Sequence, residues 1–205
     1  VDAFEILLFL LEAGAHVGVD PPHLHLAVYK AVCYGRLDVL SALITAQVSL
    51  NATDKNGETV VMKVSSQGNI HAIDALLDAG ADINFVAANH KTALMCAVKH
   101  GRLEALQHLL SRGADAQLVT DWSVSPLIVA IESGRHDIAK ALMENKATLE
   151  VCDRSGKTAM STAIMKPNID ATTIKLLIDA KASITAEDFE VHPQVFTSIL
   201  HTAGV

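Results

Sequence analysis

The chain has 205 residues, of which 50% are hydrophobic and only 4% aromatic, so its core is predicted to be aliphatic and rich in alanine. The formal net charge of -7 argues against a nucleic-acid-binding protein, because such proteins usually carry a basic surface. The longest apolar run, Ile6 to Leu11, is far shorter than the roughly 20 residues of a membrane span, so no membrane insertion is expected.

The glycines of the chain mark an internal repeat with a period of 33 residues. One series at this spacing consists of Gly35, Gly68, Gly101 and Gly134. A second series is in register with the first and consists of Gly14, Gln47, Gly80, Gly113 and Lys146. Because both series keep the same step, the chain is predicted to be an array of similar structural units.

Within one unit, the spacing of apolar residues predicts two short helices. Thr92 is the expected N-cap of the first helix, and Gly101 is expected to end it in a left-handed conformation. The second helix has a leucine-rich face and ends at Gly113; this face consists of Leu103, Leu106, Leu109 and Leu110. The following residues, 114–123, predict an extended turn or hairpin. Such a unit cannot cover its own apolar face, so neighbouring units must stack.

Two segments carry a family resemblance. Residues 54–59 read Asp-Lys-Asn-Gly-Glu-Thr, and residues 76–84 read Leu-Leu-Asp-Ala-Gly-Ala-Asp-Ile-Asn. With the period of 33, they resemble the ankyrin repeat and its L-L-x-x-G-A-D-V-N motif. The resemblance implies an all-α solenoid of stacked helix-turn-helix units with β-hairpin-like loops. The family's T-P-L-H motif is incomplete: only Pro126 keeps the proline, and no unit keeps the histidine, whose hydrogen bonds between loops must be supplied otherwise or lost.

The expected organisation is a single ankyrin-repeat domain over residues 1–205, with about five repeats. A half repeat is expected at 1–19 and a half repeat or cap at 188–205; the repeats between them are 20–53, 54–86, 87–119, 120–152 and 153–187. No first helix precedes the apolar segment 3–12. We therefore expect that the chain is a piece of a longer protein or that its N-terminal half repeat packs on a partner.

The sequence contains no G-x-S-x-G, no phosphate-binding G-x-x-x-x-G-K and no H-E-x-x-H motif. His23 and His25 have H-x-H spacing after two prolines; because no third ligand can be identified, we interpret them as part of a solvated loop at the start of a helix. Cys33, Cys96 and Cys152 form no C-x-x-C pair, and no base can be assigned to Cys33. No enzyme activity, cofactor or metal is expected, and reduced thiols predict a cytoplasmic location, with the nucleus as the alternative.

The resemblance implies that a protein or peptide partner binds to the concave face of the solenoid. In this family the contact positions are the two residues after the first Asp of a unit, the residue before the Thr and the two residues before the Gly. The partner-binding residues predicted in this way are Tyr34, Lys55, Asn56, Glu58, Asn89, Lys91, Lys99, His100, Asp121, Trp122, Glu132, Arg154 and Lys157.

Trp122 is the only tryptophan, and it lies at a predicted hairpin tip where other units have Asn56, Asn89 or Ser155. Such a residue is typical of a binding hot spot. The alternative is that Trp122 folds back over its neighbours and shields the loop. Lysine and arginine outnumber acidic residues at the contact positions, which favours an acidic ligand; the alternative is an ordinary surface of mixed charge.

The predicted function is that of a non-catalytic protein–protein interaction scaffold, monomeric or part of a longer chain. One alternative is a regulatory or substrate-docking arm of a larger multidomain enzyme, channel or transferase. Another is a module that assembles through its end faces. Residues 76–84 also resemble segments of ankyrin proteins that receive asparaginyl hydroxylation, which makes Asn84 a candidate acceptor.

Overall fold

The computed structural model describes residues 5–6, 21–118, 125–153, 155–166, 171–185 and 193. In these residues ten helices occur and no strand, which confirms the all-α fold. The helices are α1 (Pro21–Cys33), α2 (Leu37–Thr45), α3 (Val60–Gln67), α4 (Ile70–Asp78), α5 (Ala93–Lys99), α6 (Leu103–Ser111), α7 (Pro126–Glu132), α8 (His136–Glu144), α9 (Ala159–Ile164) and α10 (Ala171–Asp179). Each odd-numbered helix is the first helix of a pair, and the even-numbered helix after it is the second.

A hydroxyl side chain caps four of the first helices. The Thr92 side chain accepts a hydrogen bond from the backbone N–H of Met95 at 3.2 Å, so the predicted N-cap is confirmed. Thr59, Ser125 and Thr158 do the same for α3, α7 and α9. Such a cap contributes about 1 kcal/mol, because it satisfies a backbone donor that has no partner within the helix.

Left-handed residues follow the helices at the predicted positions. Gly101 has a φ of 68° after α5, and Gly113 has a φ of 93° after α6. Past Gly113, the N–H of Ala114 returns to the carbonyl of Leu109 at 2.9 Å and closes the helix end. The same backbone conformation occurs at Gln47 and Lys146, with φ values of 60° and 62°, although neither is glycine. The 33-residue spacing therefore marks a backbone geometry that is kept even where the glycine is lost.

Contacts divide the chain into two compact units, Val1–Ala114 and Asp115–Val205. In the first unit, α1 packs against α2, α3 and α4, while α3 packs against α5, and α6 against α4 and α5. In its core, the same position of each second helix is a buried leucine: Leu43, Leu76 and Leu109 are all 0% exposed. The predicted core role of Leu109 is thereby confirmed.

The second unit contains α7 to α10. Helix α7 packs against α8 and α9, and α10 packs against α8 and α9. Its largest fully buried side chains include Leu127, Ile138, Leu142, Met160 and Ile174. This core is aliphatic, as the composition predicts, and Thr158 and Ser161 form a capping box at the start of α9.

The interpretation of His23 and His25 as a solvated loop is wrong. Helix α1 already begins at Pro21, and the His25 side chain is only 3% exposed. Proline suits the first position of a helix, because the N–H that it lacks would have no acceptor there. The two prolines therefore start a helix, and His25 points into the first unit; the side chain of His23 lies outside the described residues.

Candidate protein-binding surface

Asp54 organises the loop 54–58, which contains the first group of predicted contact residues. Its Oδ1 accepts hydrogen bonds from the backbone N–H groups of Asn56 at 2.8 Å and Glu58 at 3.1 Å. Its Oδ2 forms an ion pair with Lys63 Nζ at 2.8 Å. Gly57 completes the turn with a φ of 72°, and a Cβ there would lie 3.2 Å from the Asn89 side chain. The loop is held in one shape, which presents Lys55 and Asn56 to solvent.

The environment of Asp54 favours the charged carboxylate. Burial raises its pKa, but the hydrogen bond from Lys63, those from the backbone of Glu58 and Asn56, and the charge of Lys63 outweigh this effect. The pKa is lowered from 3.8 to about 2. Because the folded-state pKa lies below the unfolded one, Asp54 contributes stability above pH 3.8 that is lost as the pH falls through about 2.

Replacing Asp54 by alanine is expected to lower the free energy of unfolding by about 1–3 kcal/mol at pH 7, because it leaves two N–H groups and Lys63 without their acceptor. Urea denaturation at a series of pH values measures this loss. The difference between wild type and variant should shrink between pH 4 and pH 2. An unchanged denaturation midpoint at pH 7 would show that the carboxylate does not organise the loop.

Side chains also connect the loop 54–58 to the loop 87–91 of the next repeat. Asn89 Nδ2 donates to the carbonyl oxygen of Asn56 at 2.9 Å. Lys91 Nζ forms an ion pair with Glu58 Oε1 at 2.7 Å, and this hydrogen bond raises the pKa of Lys91. Both bonds occur in repeats that lack the family's histidine. They supply, from other residues, the kind of contact between loops that the missing histidine is expected to make.

The predicted contact residues of the first unit differ in whether their side chains already bind another residue of the protein. Glu58, Asn89 and Lys91 have partners within the protein. Lys55 and Lys99 are exposed, and neither has a carboxylate partner among the described residues. The other exposed residues of the set are Asn56, His100 and Tyr34.

The first helices contribute the other part of this surface. Tyr34 follows α1 and is 72% exposed. His100 follows α5, and its Nδ1 lies 2.9 Å from the carbonyl oxygen of Cys96. Between them, Gln67 Nε2 donates to the Tyr29 hydroxyl at 2.6 Å, and Lys63 Nζ lies 5.3 Å from the centre of the Tyr29 ring. Sequence reasoning missed Tyr29 and Lys63; the one available signal is that Tyr29 stands where the family has its histidine.

The second unit is described in part. Glu132 is exposed at the end of α7, and Lys157 is half-buried, with its N–H donating to Asp153 Oδ1 at 2.9 Å. Asp153 also accepts from the N–H of Ser155 at 2.8 Å, so it repeats the role of Asp54. Asp121, Trp122 and Arg154 lie outside the described residues, and their place in a binding surface stays a prediction.

Asn84, the candidate for hydroxylation, is half-buried in the loop after α4. Its Nδ2 donates to the carbonyl oxygen of Gly113 at 3.3 Å, and its N–H donates to Asp82 Oδ1 at 2.9 Å.

The described residues contain no group of three or more His, Cys, Asp or Glu side chains that could hold a metal ion. None of the helices that the structure describes is long and apolar enough to cross a membrane. The Cys96 thiol is buried, and this burial raises its pKa from 9.0 to about 12. It therefore stays protonated and is a poor nucleophile near neutral pH.

Paired helices, the N-caps of the first helices and a repeat period of 33 residues define this protein as a helical repeat array. A family model described as ankyrin repeats in three copies matches residues 24–120 and 113–188. These matches cover most of the chain, so it belongs to the ankyrin-repeat family. Ankyrin repeats are generally protein–protein interaction modules, and the family is typically non-catalytic. No curated protein matches the sequence.

Proposed function

We propose that the protein is a non-catalytic scaffold that binds an acidic segment of a partner protein. The proposed binding surface lies in the first unit and consists of the loops 54–58 and 87–91 with the ends of α1, α3 and α5. The observation that carries the proposal is the exposure of Lys55 and Lys99 without a carboxylate partner, beside Lys91, whose charge is offset by Glu58.

Charge favours an acidic ligand at this surface although the chain has a net charge of -7. Among the predicted contact residues of the first unit, Lys91 and Glu58 neutralise each other. Lys55 and Lys99 remain, so the local charge at these positions is positive. At physiological salt, exposed charges act over a distance of roughly 8 Å, which makes the local balance more important for a ligand than the total charge.

The two loops are held in an ordered conformation without a partner, which also supports a role in binding. Asp54 fixes the loop 54–58 through three hydrogen bonds, and Asn89 and Lys91 join it to the next loop. A surface that is ordered before the partner arrives loses less conformational entropy on binding. Affinity can then come from a few exposed side chains.

Reversing both free charges, in the double variant Lys55→Glu and Lys99→Glu, is expected to weaken partner binding about tenfold, because each exposed ion pair contributes up to about 1 kcal/mol. Proteins retained by the immobilised wild-type chain are identified by mass spectrometry, and the affinity of each is then measured for wild type and variant. Binding by the wild type should also weaken as salt is raised.

The matched control replaces Lys140 and Lys175, exposed lysines on the second helices α8 and α10, by glutamate. It changes the net charge by the same amount, and its affinity for the partner should equal that of the wild type. Equal losses in both double variants would show an effect of net charge alone. Unchanged binding in the Lys55 and Lys99 variant would place the partner elsewhere on the protein.

A further inference from the structure

The most unusual buried polar group outside the binding surface is the imidazole of His25. The side chain is 3% exposed, and its Nε2 is buried without a hydrogen-bond partner among the residues that the structure describes. Buried polar atoms normally have a partner, and an atom that has none costs roughly 1–3 kcal/mol. This arrangement is tolerable for a neutral ring, whose second nitrogen needs no proton, but it is unfavourable for a charged ring with two N–H donors.

The charged groups that act on the ring come from the neighbouring repeat. Burial and the positive charge of Lys63 on α3 lower the pKa of His25 below 6.5, while the charge of Asp54 and hydrogen bonds with the backbone of Glu58 and Thr59 raise it by less. The other titratable groups come from α1 and from the helices that pack on it. Those whose side chains the structure describes are Tyr29, Lys30 and Cys33 of α1, Arg36 and Asp38 at the start of α2, and His71, Asp74 and Asp78 of α4.

Four of these eight further groups form ion pairs of their own. Arg36 and Asp38 form an exposed ion pair at 2.8 Å. Asp74 pairs with His108 and Arg112, and Asp78 pairs with Arg112. Asp54 is the carboxylate whose negative charge raises the pKa of His25, and it already forms an ion pair with Lys63. A proton on His25 would therefore add a positive charge that is repelled by Lys63, and among the described residues Asp54 is the carboxylate that acts on both groups.

We propose that His25 is an acid-sensitive contact between the first two described repeats: its protonation separates α1 from the loop 54–59 while α5 and α6 stay folded. The charged ring gains solvation only if α1 moves and lets water reach Nε2. Because the folded state holds the proton more weakly than the unfolded chain, the contribution of this contact to stability is complete above pH 6.5 and declines as the pH falls through the lower pKa of the folded state. Low pH therefore favours a local opening of the structure at this contact.

Hydrogen exchange of the whole chain at pH 7.5, 6.5 and 5.5, corrected for the intrinsic exchange rate, tests the proposal. In the wild type, protection of the α1 amides should fall by up to about tenfold for each pH unit below 6.5, while protection of α5 and α6 stays constant. The His25→Gln variant cannot be protonated in this range, so its α1 protection should not depend on pH. The matched control, His71→Gln, removes an exposed histidine of α4 and should behave as the wild type.

An NMR titration of the wild type provides a measurement that does not depend on a variant. The His25 ring signals should titrate at a lower pH than 6.5 and together with the amide signals of α1. Constant α1 protection down to pH 5.5 would overturn the proposal, and so would an equal loss of protection in α1, α5 and α6. The same loss in His25→Gln as in the wild type would assign the pH dependence to another group.

Discussion

Replacing Leu109 by alanine is expected to lower the free energy of unfolding by about 2–5 kcal/mol. Leu109 lies on α6, is 0% exposed, and belongs to the layer where α6 packs against α4 and α5. Removing three carbon atoms leaves a cavity, because the short helices on either side are held by their own caps and cannot close it completely. The loss therefore combines a transfer term and a cavity term.

Urea denaturation followed by circular dichroism measures this effect. The matched control is Leu37→Ala, because Leu37 is also a leucine of a second helix but is 60% exposed. Its substitution should change the free energy of unfolding by less than about 0.5 kcal/mol. Equal denaturation midpoints for wild type and Leu109→Ala would contradict the assignment of Leu109 to the core.

Replacing Trp122 by alanine is expected to weaken partner binding by about 2 kcal/mol or more, roughly thirtyfold, with little change in melting temperature. Trp122 lies outside the described residues, so this prediction rests on the sequence, in which the only tryptophan falls at a predicted hairpin tip. A tryptophan side chain covers a large area with few rotatable bonds. It therefore gains much apolar contact for a small loss of entropy.

Binding and thermal stability must be measured on the same Trp122 samples, because the two interpretations of this residue differ in which quantity changes. A hot spot predicts a loss of affinity at constant melting temperature. A side chain folded over its own loop predicts a lower melting temperature with intact binding, and that outcome would end the hot-spot hypothesis. Trp122→Phe keeps an aromatic ring and should retain part of the affinity.

The repeat could be predicted from the sequence because each of its signals is local. Thr92 caps the helix that starts directly after it, and Gly101 and Gly113 adopt their left-handed conformation beside the helix that they end. The role of Leu109 follows from helical spacing over a few residues. Periodicity then multiplies these local signals, so that positions such as Gln47 can be assigned although they lack the glycine.

The contacts between repeats could not be predicted in the same way. The ion pair of Lys91 with Glu58 joins residues 33 positions apart, and it reduces the positive charge that the sequence assigned to the binding surface. His25 is a sharper case: near two prolines it suggests a solvated loop, but its side chain is only 3% exposed and interacts with Asp54, Glu58 and Lys63 of the next repeat. Whether a side chain is buried by a segment distant in sequence cannot be predicted from the residues next to it. The contacts that such a side chain makes could therefore not be predicted either.

The bond from Asn89 to the carbonyl of Asn56 joins two residues that occupy the same position of consecutive repeats. Each copy of such a repeat carries the amide that donates in one direction and the carbonyl that accepts from the other. A duplicated gene segment would therefore encode both groups of this hydrogen bond. An inserted repeat could bond to its neighbours without any further substitution. The later repeats have Trp122 and Ser155 at this position, and neither residue carries a side-chain amide that could donate the same bond.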